Sequence, residues 1–266
     1  MMSKAKLSIV TICYNAEKDL PNTIKSVIDQ GYKNVEYIII DGGSSDNSLD
    51  IIKYYEELAL SRGIVYKWLS ERDQGIYDAL NKGISLATGE WINFMNAGDR
   101  FVDSNVLLDI APFLLESDDI VYGNTIDKLN DQNNRYSRAK TVDELYKGSI
   151  FCHQSCFVRL ALHKEYPFNL NYNICADFDF FFRMYILGKR FKHVDKYIAI
   201  YDLNGISSNN LAYLKEMKSI VRYFKGKKAH AWYFYYLNAI FTLKYHLKKL
   251  LPSSLVVYIK ASRSKK

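Results

Sequence analysis

An α/β fold with an open, mostly parallel sheet is what this sequence predicts, on three observations. Strand-type apolar runs alternate with longer runs of helical period through the first hundred residues. With 266 residues, 48% apolar and 15% aromatic, and only 4 Pro and 13 Gly, the chain has the means to bury a sizeable core, which excludes collagen-like, low-complexity and disordered classes. Finally, each of the first four strand runs ends on acidic or amide residues, and open parallel sheets bind ligands outside the carboxyl ends of their strands.

KLSIVTIC (6–13) reads as a buried strand, and LPNTIKSVIDQ (20–30) as a helix whose Pro21 suits the first turn. VEYIIIDGG (35–43) is a second strand closed by a glycine turn. A helix is expected from Ser44, opened by capping residues and stopped at Gly63. IVYKWLSE (64–71) is the third strand, GIYDALNKGISLATG (75–89) a helix with Gly89 as its terminator, and EWINFMNAGD (90–99) a fourth strand running into a polar turn. Further on, CADFDFFFRMYILG (175–188) reads as a helix with Asp177 in its first turn and Gly188 at its end, and residues 211–226 carry a helical period.

The strand ends single out Tyr14 and Asn15, Asp41, Asp73, and Asn96 with Asp99, which should converge on one rim. Turn and cap preference alone accounts for any one of them, but not so readily for all four ends. Neither GxGxxG after the first strand nor GxxxxGK[ST] is present, which disfavours a dinucleotide enzyme or a P-loop NTPase. A phosphate ligand would then be neutralised by a divalent cation on carboxylates, with Asp99 the natural candidate.

The formal charge of +7 is unevenly placed. Residues 201–266 hold 13 Lys/Arg against Asp202 and Glu216, a balance of +11; the first 200 hold 23 basic and 27 acidic residues, a balance of −4. Four scattered cysteines, Cys13, Cys152, Cys156 and Cys175, suit reduced buried thiols better than a disulfide scaffold, and no CxxC or HxxxH completes a metal set around His153. The late apolar run Ala231–Leu243 is too short to span a bilayer, and no signal-type apolar region precedes Tyr14.

SIVTICYNAEKDLPNTIKSVIDQ, YIIIDGGSSDNS, SERDQGIYDALNKGISLATGEWINFMNAGD and CADFDFFFRM, in this order and spacing, resemble the family-2 glycosyltransferases of the GT-A nucleotide-sugar fold. The likeness is to the bacterial subgroup that builds colanic-acid, capsular and O-antigen polysaccharides, and covers roughly residues 6–208. It implies a mixed, mostly parallel sheet flanked by helices and inverting transfer of a sugar from a nucleotide diphosphate sugar, with uridine the commonest nucleotide. The acceptor would be a saccharide or a polyprenyl-diphosphate-linked saccharide.

It also implies roles. Thr11, Tyr14 and Asn15 of the first-strand loop, Asp41 and Asp73 surround the nucleoside. Asn96-Ala97-Gly98-Asp99 stands where the family has DxD, so Asn96 faces the nucleotide and Asp99 remains the one carboxylate for Mn2+ or Mg2+. His153 and Gln154 of CHQSCFVR, a segment leading toward a sheet edge, line the acceptor side, His153 being equally readable as a satisfied buried histidine. Asp177 matches the general base, against the plain alternative that it complements a helix dipole. Residues 201–210 resemble the loop that closes over the donor, with Asn204 where some relatives have a histidine.

The chain divides into a catalytic domain, 1–228, and a basic aromatic helical segment, 229–266. The latter suits peripheral attachment to an anionic membrane surface, on the cytoplasmic face of the inner membrane, or simple cover for the domain. Two competing classes are a nucleotidyltransferase, which calls for a basic glycine-rich loop in place of YNAEKD, and a nucleic-acid module using the tail, which sits poorly with 200 net-negative residues.

Overall fold

The structure, a computed structural model, describes residues 5–130, 133–202 and 210–225, with Ala239 and Leu243. The segment 229–266 assigned to membrane contact, and Asn204 with most of its loop, otherwise lie outside the described residues. Among the described residues no helix is long and apolar enough to cross a membrane.

The first half alternates as its periodicity predicts: β1 (Leu7–Cys13), α1 (Leu20–Ile28), β2 (Val35–Asp41), α2 (Ser48–Ser61), β3 (Val65–Ser70), α3 (Ile76–Leu86) and β4 (Trp91–Phe94). All residues of β1, β2 and β4 are buried. Their two faces feed two cores, Leu7, Ile9, Tyr37 and Ile39 packing toward α1, α2 and α4 (Val106–Ile110), and Val10, Ile12, Ile38 and Ile40 toward α3. This is the period of two in strands covered on both sides.

The second half supplies β5 (Arg100–Phe101), β6 (Ile120–Asn130), β7 (Asn133–Ser137), β8 (Cys156–Arg159) and β9 (Phe191–Asp202), with α5 (Leu160–Glu165), α6 (Ala176–Ile186) and α7 (Asn210–Lys225). The sheet order is β3-β2-β1-β4-β8-β6-β9-β5, with β7 hairpinned on β6. The pairs among β1 to β4 are parallel, β8 runs antiparallel to both β4 and β6, and β6 pairs β9 in parallel. The CHQSCFVR segment therefore leads into an interior strand, not a sheet edge, which corrects the expectation. Helix α6 carries Phe178, Phe180, Phe181 and Phe182, all buried, because it lies under α7 as well as in the core of the α3 face.

Two element bounds differ from the periodicity for local reasons. Helix α2 begins at Ser48, not Ser44, because residues 44–46 are engaged elsewhere. The Ser44 N–H donates to Asp41 Oδ2 (3.1 Å), the Ser45 N–H to Asn15 Oδ1 (2.8 Å), and Asp46 Oδ1 accepts the Ser48 N–H (3.0 Å). Such side-chain bonds compete with helical ones. Helix α3 ends at Leu86, and Gly89 is no terminator but a close crossing over β1. A Cβ there would stand 2.8 Å from the Lys6 carbonyl oxygen and 2.9 Å from the Ser8 nitrogen. Backbone cannot yield as a side-chain tip can, so Gly89→Ala is expected to cost about 1–3 kcal/mol. A thermal melt checks this, an unchanged Tm being the contrary result.

Candidate active site

The carboxyl ends of β1, β2 and β3 meet in a polar loop cluster. Asp41 is wholly buried; its carboxylate accepts the Gly43 N–H (3.2 Å), the Ser44 N–H (3.1 Å), the Ser70 hydroxyl (2.6 Å) and the Ser44 hydroxyl. Thr11 is also wholly buried, donating to the Met95 carbonyl (2.7 Å) and bonded to the Tyr37 hydroxyl (2.8 Å). Both hold the loops and expose nothing to a ligand. Asn15 has φ +48, a left-handed backbone that Asn tolerates, and its amide binds the 44–45 turn. Tyr14 is 65% exposed. Its ring and the Asp73 carboxylate flank Gly42 so tightly that a Cβ there would overlap Asp73 Oδ2 and touch Tyr14 Cδ2. Asp73 also fixes the entry to α3, accepting the Gly75 N–H (2.9 Å) where Gly75 has φ +115.

Asn96, Asp99, His153, Gln154 and Asp177 come together on one cavity of about 850 Å3, although three distant segments carry them. Asp99 follows Gly98, whose φ of +99 turns the chain after β4. Its Oδ2 accepts from Gln154 Nε2 (2.7 Å), and its backbone carbonyl from the Thr23 hydroxyl (2.7 Å). Gln154 Oε1 in turn accepts from the Cys152 thiol (2.5 Å). The 153–155 turn is pinned because Asn93, buried in β4, donates to the Gln154 and Cys156 carbonyls (2.9 and 2.8 Å).

Asp177 lies in the first turn of α6 with its side chain 24% exposed to the cavity. Oδ1 accepts the Phe178 N–H (2.8 Å) and shares the Tyr77 hydroxyl (3.0 Å) with the Ile174 carbonyl (2.7 Å), and Oδ2 lies 3.3 Å from His153 Nδ1. Burial alone pushes a carboxyl up. Here His153, the Phe178 amide and the Tyr77 hydroxyl outweigh it, and Asp177 is held below its ordinary value. His153 Nε2 is 3.2 Å from Asn96 Nδ2. With the Asn96 amide donating to Nε2, His153 Nδ1–H donates to Asp177, so one hydrogen-bond chain joins the Asn96–Asp99 turn to the carboxylate of α6.

Tyr77 is the site residue that sequence reasoning missed. It sits one hundred positions from Asp177 on the buried face of α3, and its period reads as core. Asp179, two residues on, turns to Arg183 (2.6 Å) and away from the cavity chemistry.

Among the described residues no cluster of three or more His, Cys, Asp or Glu is placed to hold a metal. The turn does offer two hard oxygen donors: the Asp99 carboxylate, and Asn96 Oδ1, a buried acceptor with no hydrogen-bond partner among the described residues. That donor set fits a Mg2+-type cation, which uses one or two protein oxygens and completes its shell with phosphate and water.

The glycosyl transferase family 2 model matches residues 8–188. A PGL/p-HBAD biosynthesis glycosyltransferase of Mycobacterium tuberculosis is 34% identical over 216 residues, 79% of this chain and 82% of the relative. S. aureus TarS 1–349 in complex with UDP-GlcNAc is similar at a TM-score of 0.65 and 19% identity, over 85% of this chain and 69% of that one; of a longer TarS chain, the match covers 41%. Mannosyltransferase PcManGT from Pyrobaculum calidifontis, in complex with GDP-Man and Mn2+, is similar at a TM-score of 0.65 and 12% identity, over 100% of this chain and 82% of that one. At these identities the structural likeness speaks for the fold.

Proposed function

This chain belongs to glycosyl transferase family 2, with the α/β GT-A-type fold, and on that premise we propose that it transfers a sugar from a UDP-sugar to a saccharide or lipid-linked saccharide with inversion, in cell-surface glycan synthesis. The observation that carries this reading is the Asp177 carboxylate, beside the Phe178 amide, the Tyr77 hydroxyl and the His153 ring on the same cavity as the Asn96–Asp99 turn. One relative is named a PGL/p-HBAD biosynthesis glycosyltransferase and one structural neighbour is in complex with UDP-GlcNAc, which supports the donor class.

In this reading the nucleoside sits beside Tyr14, Gly42 and Asp73, over the loops that Asp41 and Thr11 shape, and the sugar points to Asp177. The acceptor hydroxyl loses its proton to Asp177 as its oxygen bonds the anomeric carbon. The bond from that carbon to the diphosphate breaks on the opposite face, and its electron pair leaves with the nucleoside diphosphate. Gln154 fixes Asp99, which with Asn96 Oδ1 would hold a Mn2+ or Mg2+ ion; when bound, that ion supplies charge neutralisation for the departing diphosphate. Tyr77 and His153 keep Asp177 charged and aimed.

A ligand that binds only the folded protein stabilises it by mass action, about 2.7 kcal/mol at 100 times Kd, and so raises its Tm. UDP and UDP-GlcNAc with Mn2+ are expected to raise the Tm, and Asp99→Ala to abolish the metal-dependent part of the rise. No shift with any UDP-sugar would overturn the donor reading.

A further inference from the structure

The far wall of the cavity is built by the β6–β7 hairpin and the residues after it, and it is basic. Asp127 on β6 is 1% exposed, and its Oδ2 accepts from Arg135 Nε (2.8 Å), Arg135 Nη2 (2.5 Å) and the Ser137 hydroxyl (2.6 Å), while Oδ1 accepts from Thr125 (3.2 Å). A buried carboxylate is costly unless it is paired in this way. Here it fixes one guanidinium whose side chain stays 55% exposed at the cavity. Arg138 and Lys140 follow on the same wall. Among the described residues Arg138, 74% exposed, has only a 3.9 Å pair with the exposed Asp195, too loose to hold it. Residues 134–140 contain three basic groups and no acidic one, inside a 200-residue region whose balance is −4.

A hairpin staple needs Asp127 and Arg135 alone; Lys128, Arg138 and Lys140 line the same side of the cavity, and that concentration of cations points to a ligand. Arg100, Ile200, Ile126 and Tyr136 are successive register partners across β5, β9, β6 and β7. Three strand spacings separate the backbones of Arg100 and Tyr136, roughly 14 Å, so this wall stands across the cavity from the Asp99 turn. Guanidinium groups held in place favour phosphate oxygens, which their fork matches. We propose that Arg135, Arg138 and Lys140 form a second phosphate subsite, which takes a phosphate or diphosphate group carried by the acceptor. This rests on the glycosyltransferase reading and assigns the acceptor's chemical class.

The test loads the full chain with saturating UDP and Mg2+ and titrates inorganic diphosphate by calorimetry. One diphosphate is expected to bind each UDP-loaded chain. Arg138→Gln/Lys140→Gln, at two exposed positions, should weaken that binding at least about tenfold, a step worth about 1.4 kcal/mol, and leave the UDP affinity unchanged. No diphosphate binding to the UDP-loaded wild type, or equal binding by the double variant, overturns the subsite. Failure of UDP itself to bind overturns the donor reading instead, and the subsite with it. Phosphatidylglycerol vesicles separate the two sources of phosphate: the double variant should cosediment as the wild type does, and its loss from vesicles would assign these cations to a membrane headgroup and overturn the acceptor assignment.

Discussion

Asp177→Asn is expected to lower UDP release from a UDP-sugar by about 10²- to 10⁴-fold, the usual contribution of a positioned base, with UDP affinity unchanged. The substitution keeps the shape of the side chain, and its oxygen can still accept the Phe178 N–H, so α6 has no reason to unfold. What it removes is the charge that, in the proposed reaction, receives the acceptor proton. Wild-type turnover in this variant would remove Asp177 from the reaction.

The pH profile adds a separate check. Because Asp177 is held below its ordinary 3.8, the acid limb of kcat/KM should lie below the usual carboxylate range. Cys152, Cys156, Cys175, Tyr77 and Tyr213, which lie around it, are pushed up by burial and stay neutral there. His153 supplies the strongest of the bonds that favour the charged form. His153→Ala should therefore raise the Asp177 pKa and move the acid limb to higher pH, an effect that loss of packing alone would not produce. A limb that stays in place would reduce His153 to a structural residue.

Glu36→Gln is expected to be the largest single loss of stability. Glu36, at the opposite end of β2 from the site, is fully buried and ties four segments together. It accepts from the Ser8 hydroxyl, the Thr88 N–H and hydroxyl and the Gly89 N–H, and pairs with Lys6 (3.2 Å) and Lys67 (3.1 Å). Burial pushes it up, but these donors prevail and bring it from 4.5 to about 2. A depression of that size corresponds to roughly 3 kcal/mol of stability, which is present above pH 4.5 and lost as pH falls through about 2. Removing the charge leaves two lysines and several buried donors poorly matched, a loss of the same order. In a domain of this size that is roughly 6–12 °C in Tm at neutral pH, and the gap between variant and wild type should close toward pH 2. A variant melting with the wild type at pH 7 would refute the role given to Glu36.

The first half of the fold was legible because β1 to β4 are buried runs of one period and α1 to α3 amphipathic runs of another. The second half was much less so. β6 reads IVYGNTIDKLN, too polar to announce a strand, because its outer part forms a cavity wall instead of core and its polar groups are satisfied across the hairpin and by β9. β8, only four residues long, becomes interior only because it returns between β4 and β6.

Sequence by itself determined the α/β class, the succession of the first strands and helices along the chain and the family, since these depend on local period and on short motifs that need no partner. It also placed polar groups at each strand end. Which of those groups are open to a ligand was decided by tertiary packing alone. Thr11 and Asp41 are sealed in because buried polar atoms must find partners within the protein, and the neighbouring strands and loops supply them. Asn96, His153, Tyr77 and Asp177 form one hydrogen-bonded set because β8 is inserted beside β4 and the first turns of α3 and α6 meet. That is a matter of chain crossing, to which no periodicity along the sequence is sensitive.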